Sequence, residues 1–286
     1  FFHFWRSSDL PTNPMRKCKQ IVGYNDEIID LKLIPHSDGV PGASPETPRA
    51  TRVAMVANSD QIRCFDLSTF DCDLLYGHSN IVLACDVSPD GMWLASVSKD
   101  QSLRVWNLVG HGEVPAGTCV AKGIGHTEAV GAVCFGKRPS NYNLRSSHTT
   151  AWLFTGSKDK TIKSWDLGDV IRKKMSVETS AESIAPLKVR DSTRGHTKDI
   201  NALCMAPNDG MLASASQDKT IVLWDPQTLS QVGTLNGHKR GVWSVEFSPV
   251  DKLCVSAGGD RMVKLWSLKD FRCLKTFEGH MASVLR

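Results

Sequence analysis

Four times in this chain a histidine, a hydroxyl residue, an aspartate and a tryptophan recur in fixed order. His78, Ser96, Asp100 and Trp106 are separated by 18, 4 and 6 residues. His196, Ser214, Asp218 and Trp224 repeat those spacings, as do His238, Ser256, Asp260 and Trp266. A fourth set, His126, Thr155, Asp159 and Trp165, keeps the 4 and 6 and gains eleven residues between His126 and Thr155. Serine, histidine and aspartate are the parts of a hydrolytic triad, in which a base activates a hydroxyl and a carboxylate orients the base. An enzyme needs one nucleophile, however, and four equivalent sets in one chain point to a structural unit. The same groups can satisfy one another. An indole N–H can donate to the hydroxyl, the hydroxyl to one ring nitrogen of histidine, and the other ring N–H to the carboxylate. Such a Trp–Ser–His–Asp chain leaves no member without a partner, the condition for burying polar groups. Each histidine belongs to a different unit, so the four do not converge on a metal. No paired carboxylates, Gly-rich phosphate loop or metal-type cluster suggests a catalytic or cofactor site elsewhere.

These sets sit in units made of short strands. In the third Gly-His unit the strands read INALCMA, MLASAS, TIVLWD and QVGTLN, and the turn chemistry between them is Pro207-Asn208-Asp209-Gly210 and Gln217-Asp218-Lys219-Thr220. Gly-His opens the units at Gly77, Gly125, Gly195, Gly237 and Gly279, and the last three are 42 residues apart. Trp106-Asn107, Trp165-Asp166, Trp224-Asp225 and Trp266-Ser267 close four of them. A period of about 40–45 residues with this opening and closing marks a propeller repeat. On these residues the chain resembles the WD-repeat family, which uses the same tetrad as a structural clasp. The resemblance implies an all-β fold, a WD40 β-propeller with five near-complete four-stranded blades and partial blades at both ends. It covers residues 17–286, with units opening near Gly23, Gly77, Gly125, Gly195 and Gly237 and a truncated unit at Gly279, and it leaves residues 1–16 as a flank. The first unit is degenerate: Gly23-Tyr24 replaces Gly-His, and Phe65, Ser59 and Met55 stand at the Trp, Asp and Ser positions. That blade must rely on apolar packing. A further pair, Gly110-His111, is out of register and reads as loop. Small propellers close into rings because closure removes sheet edges. Five blades fall short of the seven typical of the family, so a section of a longer chain is expected, one whose free edges favour association. The opening on Phe1 without an initiator Met suits that expectation.

Bulk properties fit a globular chain with a substantial core: 286 residues, 41% hydrophobic and 22% charged. The net charge of +4 is a modest excess, ordinarily a solvated surface. Nine cysteines, with no CxxC pair, read as small buried hydrophobes in a reducing compartment. Cys85, Cys134 and Cys204 lie seven or eight residues after a Gly-His, and Cys18, Cys119 and Cys273 precede another strand. No stretch reaches membrane-spanning length, and the apolar FFHFW is too short for a signal peptide.

Three insertions depart from the compact repeat. Residues 35–50 and 136–149 fall between first and second strands, and residues 167–186 between a third and a fourth. In an up-and-down blade these connections emerge on one side, which makes that face a candidate for partner contact. The opposite face carries Lys99, Lys158, Lys160, Lys198, Lys219, Lys239, Arg240 and Arg261 in or beside its turns. Contact with RNA phosphates is conceivable there, with Lys198, Lys239 and Arg240 as the candidates, although no aromatic platform is evident. Arg172-Lys173-Lys174 could act as a nuclear signal but reads equally as a solvated loop.

A propeller alone indicates a scaffold, not a task. The spellings VGYNDEIIDLKL (22–33), GHTKDINALCMAPNDGMLASASQDKTIVLW (195–224), GHKRGVWSVEFSPVDK (237–252) and FRCLKTFEGHMASVLR (271–286) are similar to one family. It is the transducin-beta-like tandem-propeller family of the UTP-B complex, within the small-subunit processome. That resemblance implies a non-catalytic scaffold in the nucleolus, partnered by other propeller subunits of UTP-B and by a snoRNA and pre-rRNA particle. It implies no cofactor, no membrane and no small-molecule substrate. The insertions match no pattern of that family. Two rival readings are a different interaction propeller, such as a G-protein β-like signalling subunit or a ubiquitin-ligase substrate receptor, and an enzyme using one exposed Ser-His-Asp set.

Overall fold

The computed structural model describes residues 2–7, 15–21, 27–35, 50–110, 114–138, 151–168, 170 and 184–285. The described residues run mainly through short strands, nearly all paired antiparallel. β1 (Phe2–Ser7) and β2 (Met15–Ile21) form a two-stranded sheet. Five four-stranded blades follow in chain order. Blade 1 is β3 (Ile28–Pro35), β4 (Ala50–Ala57), β5 (Ile62–Asp66) and β6 (Cys72–Leu75). Blade 2 is β7 (Val82–Val87), β8 (Trp93–Ser98), β9 (Ser102–Asn107) and β10 (Cys119–Ile124). Blade 3 is β11 (Val130–Phe135), β12 (Trp152–Ser157), β13 (Thr161–Asp166) and β14 (Ala185–Arg194). Blade 4 is β15 (Ile200–Met205), β16 (Leu212–Ser216), β17 (Thr220–Trp224) and β18 (Gln231–Asn236). Blade 5 is β19 (Val242–Phe247), β20 (Leu253–Gly258), β21 (Val263–Ser267) and β22 (Cys273–Phe277). Each inner strand packs against the next, β3 on β7, β7 on β11, β11 on β15 and β15 on β19. The arrangement is a section of a β-propeller.

Burial follows from this stacking. WLASVS in β8 and SLRVWN in β9 are buried at every position, because blades 1 and 3 cover both faces of their sheet. Strands covered on both sides lose the alternation of a half-exposed sheet. The core is therefore a series of apolar layers between blades, one joining Ile34, Ile62 and Leu75 to Trp106, another joining Phe154 and Ile162 to Met205 and Trp224. Blade 5 has no following blade, and its last strand is exposed throughout, with Leu274 at 56% and Phe277 at 44%. In the degenerate first blade, Met55 and Phe65 are buried together with Val53, so apolar side chains occupy the Ser and Trp positions.

The irregularities are shared. Every first-to-second strand pair slips at its second residue, as between Val82 and Ala84 or Ile200 and Ala202. Third-to-fourth pairs slip beside the tryptophan, as between Ser164 and Trp165 or Leu265 and Trp266. The β1–β2 pair slips between Phe4 and Trp5, the register of a third and a fourth strand. Residues 1–16, expected as a flank, thus carry one strand of a sheet. A second departure from strict repetition joins blades 2 and 3. The ten-residue β14 pairs with β13, and its first residues also pair in parallel with β10, Ala121 to Ala185 and Gly123 to Leu187. This merges the two blades into an eight-stranded sheet. Most of the three insertions, His111, and Arg172 to Lys174 lie outside the described residues.

Candidate interaction face and the tetrads beneath it

The histidine of each Gly-His turn is held over the second and third strands of its own blade. His78 Nε2 lies 2.8 Å from Ser96 Oγ, and Trp106 Nε1 donates to the same hydroxyl at 2.8 Å. His78 Nδ1 is 2.8 Å from Asp100 Oδ2. His126 makes the corresponding contacts, 2.8 Å to Thr155 Oγ1 and 2.8 Å to Asp159, and Trp165 Nε1 donates to Thr155 at 2.8 Å. For His196 the distances are 2.7 Å to Ser214 and 2.9 Å to Asp218, and for His238 2.7 Å to Ser256 and 2.9 Å to Asp260. Trp224 and Trp266 donate to Ser214 and Ser256 at 2.8 Å. The indole N–H fills one acceptor site of the hydroxyl, and a hydroxyl that in turn donates to Nε2 places the ring proton on Nδ1, facing the carboxylate.

Sequence spacing left out two members of this network. Ser102, Thr161 and Thr220, two residues after the aspartate, donate to its Oδ1 at 2.6 Å in each case. Ser98, Ser157 and Ser216, two residues before it, accept its backbone N–H at 3.0–3.1 Å. Both offsets recur and could have been read from the repeat. The glycine before His196 has its own cause: a Cβ on Gly195 would collide with the Trp224 ring.

Burial sets the ionisation of these groups. It disfavours the charged imidazole and pulls His126, His196 and His238 below their ordinary range, against the opposing pull of their aspartates. Burial also opposes ionisation of Asp218, but hydrogen bonds from Thr220, the Thr197 N–H and His196 outweigh it and hold the carboxyl at about 2. The same balance lowers Asp100, Asp159 and Asp260. Each hydroxyl is buried, at 1% exposure or less, and committed to two neighbours, so none is presented as a nucleophile.

The turns above the tetrads lie on one face of the propeller section, because the Gly-His turns of blades 2 to 5 are each tied to the Asp turn of their blade. Gln101, Lys160, Lys219 and Arg261 follow the four aspartates with φ of 66°, 70°, 77° and 68°, left-handed positions at which L residues are displayed from the turn apex. Lys198, Lys219, Lys239, Arg240 and Arg261 are exposed. Lys158 pairs loosely with Asp199 at 3.9 Å, across the junction of blades 3 and 4. One aromatic residue of blade 5, Trp243, stands near these cations. It lies half-buried in β19, and its Nε1 and the Arg240 Cβ stand 3.2 and 3.5 Å from the point where a Gly259 Cβ would be.

The inner strands carry a second set of polar residues that the repeat did not reveal. Asp30 accepts the Cys85 N–H at 3.0 Å and so links blade 1 to blade 2. Asp86 accepts the Phe135 N–H at 2.8 Å and pairs with Lys137 at 3.2 Å and Lys32 at 3.7 Å. Asp209, in a turn of blade 4, accepts the backbone N–H groups of Lys137 and Arg138 at the root of the 136–149 insertion. The sequence signal was a charge inside an apolar first strand, as in IIDLKL and LACDVS. Eight cysteines are described and all are free. Cys85 packs between blades 1 and 2, whereas Cys134 and Cys204 face the opposite way; Cys85 is one residue out of their register. Burial pushes the thiols of Cys64 and Cys254 up to about 12.

Comparison with known proteins follows the same units. The family model described as WD domain, G-beta repeat matches residues 67–107, 117–166, 187–225 and 229–267. Transducin beta-like protein 3 of Rattus norvegicus is 39% identical over 206 residues, 72% of this chain and 22% of that protein. Its namesake from Bos taurus is 40% identical over 222 residues, 78% of this chain and 24% of that protein. U3 small nucleolar RNA-associated protein 13 of Saccharomyces cerevisiae is 37% identical over 192 residues, 62% of this chain and 21% of that protein. The chain spans less than a quarter of the length of these relatives. With four matched repeats, each built on the same buried tetrad, the chain belongs to the WD domain, G-beta repeat family.

Proposed function

We propose that this chain is a section of a non-catalytic scaffold subunit of nucleolar ribosome biogenesis. It would support assembly of the small-subunit processome and early pre-rRNA processing as part of a UTP-B-type complex. The observation that carries this reading is the likeness to transducin beta-like protein 3 over 72% of the chain, together with the likeness to a U3 small nucleolar RNA-associated protein. The geometry is compatible with a scaffold. The tetrads spend their hydrogen-bonding capacity inside each blade, leaving loops, turns and blade faces as the surfaces that partners can use. The partners on this reading are other propeller subunits and a particle containing snoRNA and pre-rRNA.

The test is affinity purification of the tagged full-length protein from cell extract, with mass spectrometry of proteins and sequencing of RNA. Recovery of nucleolar propeller subunits with U3-type snoRNA and pre-rRNA is the expected result. Recovery of signalling or ubiquitin-ligase components in their place would sink this function and leave the propeller untouched.

A further inference from the structure

We propose that the turn face of blades 4 and 5 is a binding surface for single-stranded RNA, with Lys198, Lys219, Lys239, Arg240 and Arg261 on the phosphates and Trp243 against a base. The inference deepens the function proposed above and rests on it for taking the polyanion to be RNA.

Three observations carry it. First, charge is unevenly distributed along this face. Blade 1 presents the acidic Glu27 and Asp60 in its turns, blade 2 presents Lys99 among the neutral Ser79, Asn80 and Gln101, and blade 3 sets Lys158 and Lys160 against Glu128. Blades 4 and 5 present five exposed cations with one acidic residue, Asp199, among their Gly-His turns. Asp199 lies 3.9 Å from Lys158, and among the described residues no side-chain ion pair joins any of the five to a carboxylate. The carboxylates that could have neutralised them, Asp218 and Asp260, are turned inward and committed to His196 and His238. The net result is a positive rim that keeps its field outside the protein.

Second, the cations are held at fixed stations. Asp218 Oδ2 accepts the Thr197 N–H at 3.0 Å and Asp260 Oδ2 accepts the Lys239 N–H at 2.9 Å, which ties each pair of turns together. Lys219 and Arg261 stand at left-handed positions of those same turns. The stations are spread along the rim of two adjacent blades and do not converge on one pocket. A chain of regularly spaced phosphates can meet several such stations at once, and each contact releases counterions.

Third, the half-buried Trp243 stands beside this set, with its Nε1 and the Arg240 Cβ 3.2 and 3.5 Å from where a Gly259 Cβ would be, next to the Asp260 turn. Glycine at 259 leaves room for both. Base stacking on an aromatic contributes about 1–3 kcal/mol per base and tolerates any base sequence. An acidic peptide would use the lysines but would gain nothing comparable from the ring.

The fold supplies its own neutral substitutes. Blade 2 carries Ser79, Asn80 and Gln101 where blade 5 carries Lys239, Arg240 and Arg261, over the same tetrad. The test compares the full-length protein with the triple variant Lys239→Ser, Arg240→Asn, Arg261→Gln, and with Trp243→Leu. Binding of fluorescein-labelled oligouridine is followed by anisotropy across a salt series, with unlabelled polyglutamate as competitor. Single-strand binding loses about 0.7 in salt slope per phosphate contact removed, so the triple variant should bind at least about tenfold more weakly at physiological salt, with a slope shallower by about 2. Trp243→Leu should weaken binding with the slope unchanged. Unchanged affinity and slope in the triple variant with an unchanged melting temperature would overturn the proposal. Polyglutamate binding as tight as oligouridine would overturn it too, in favour of an acidic protein partner. Normal recovery of the snoRNA particle with no intrinsic RNA binding would remove this surface and keep the proposed function. RNA binding without that particle would do the reverse.

Discussion

Replacing Ser214 by alanine should cost far more than the loss of one exposed hydroxyl. Ser214 is fully buried, accepts the Trp224 N–H at 2.8 Å and donates to His196 at 2.7 Å, and both partners are at most 3% exposed. Ser214→Ala orphans an indole N–H and an imidazole nitrogen at once. At about 1–3 kcal/mol for each of the two buried unsatisfied groups, the expected destabilisation is about 2–6 kcal/mol. The two losses are not independent, and blade 1 shows why. There Met55 and Phe65 occupy the Ser and Trp positions as a buried apolar pair, at 1% and 5% exposure. Once the hydroxyl is gone, removing the indole N–H as well relieves a penalty. The double variant Ser214→Ala, Trp224→Phe should therefore be less destabilised than the sum of the single variants, by about 1–2 kcal/mol. Urea denaturation of the full-length protein, followed by far-ultraviolet circular dichroism, gives all four corners of the cycle. Additivity within about 0.5 kcal/mol, or a cost below that for Ser214→Ala alone, would refute the claim that the tetrad is a closed buried network.

Acidification should destabilise the fold in two stages. His126, His196 and His238 have folded values below the ordinary 6.5, so the unfolded chain binds protons first and stability falls as pH drops below about 6.5. Asp218, lowered from 3.8 to about 2, adds a further loss between those two values. Melting temperatures measured across pH should thus be flat through neutrality and fall on the acid side; a rise on acidification would contradict the burial assignment. Gly195→Ala should destabilise by about 1–3 kcal/mol through collision with Trp224, whereas Gly125→Ala, whose nearest neighbour would be 3.4 Å away, should be mild; thermal melts of the two variants decide this. Asp86→Ala should cost about 3 kcal/mol, because it leaves the buried Phe135 N–H without its acceptor and Lys137 without its carboxylate, and hydrogen exchange should accelerate at Phe135 before the outer strands of blade 3. Native iodoacetamide labelling, mapped by mass spectrometry, should modify the exposed Cys72 and Cys273 well before Cys64, Cys85, Cys134, Cys204 or Cys254.

The repeat was legible because its contacts lie inside one blade. His, Ser, Asp and Trp meet across neighbouring strands joined by short turns, so each contact has a fixed chain separation, 18 residues from His196 to Ser214 and 10 from Ser214 to Trp224. The hydroxyl-to-indole separation is the same in blades 2 to 5, and the histidine-to-hydroxyl separation is the same in blades 2, 4 and 5, so these contacts show themselves as spacing. The order of strands and the degenerate first unit could be read on that ground. What joins one blade to another has no such period. Asp30, Asp86 and Asp209 occupy different positions in their blades, and they reach partners 55, 49 and 72 residues away. The parallel pairing of β14 with β10 depends on the path by which an irregular insertion returns to the sheet. The approach of both Trp243 and Arg240 to Gly259 depends on how the blade 5 turns pack. The amino-acid sequence by itself therefore determined the blade, through local hydrogen bonding repeated at constant separation. Only the tertiary structure decided how blades are clamped together and which side chains share a surface, because those contacts join non-equivalent residues whose separation carries no pattern.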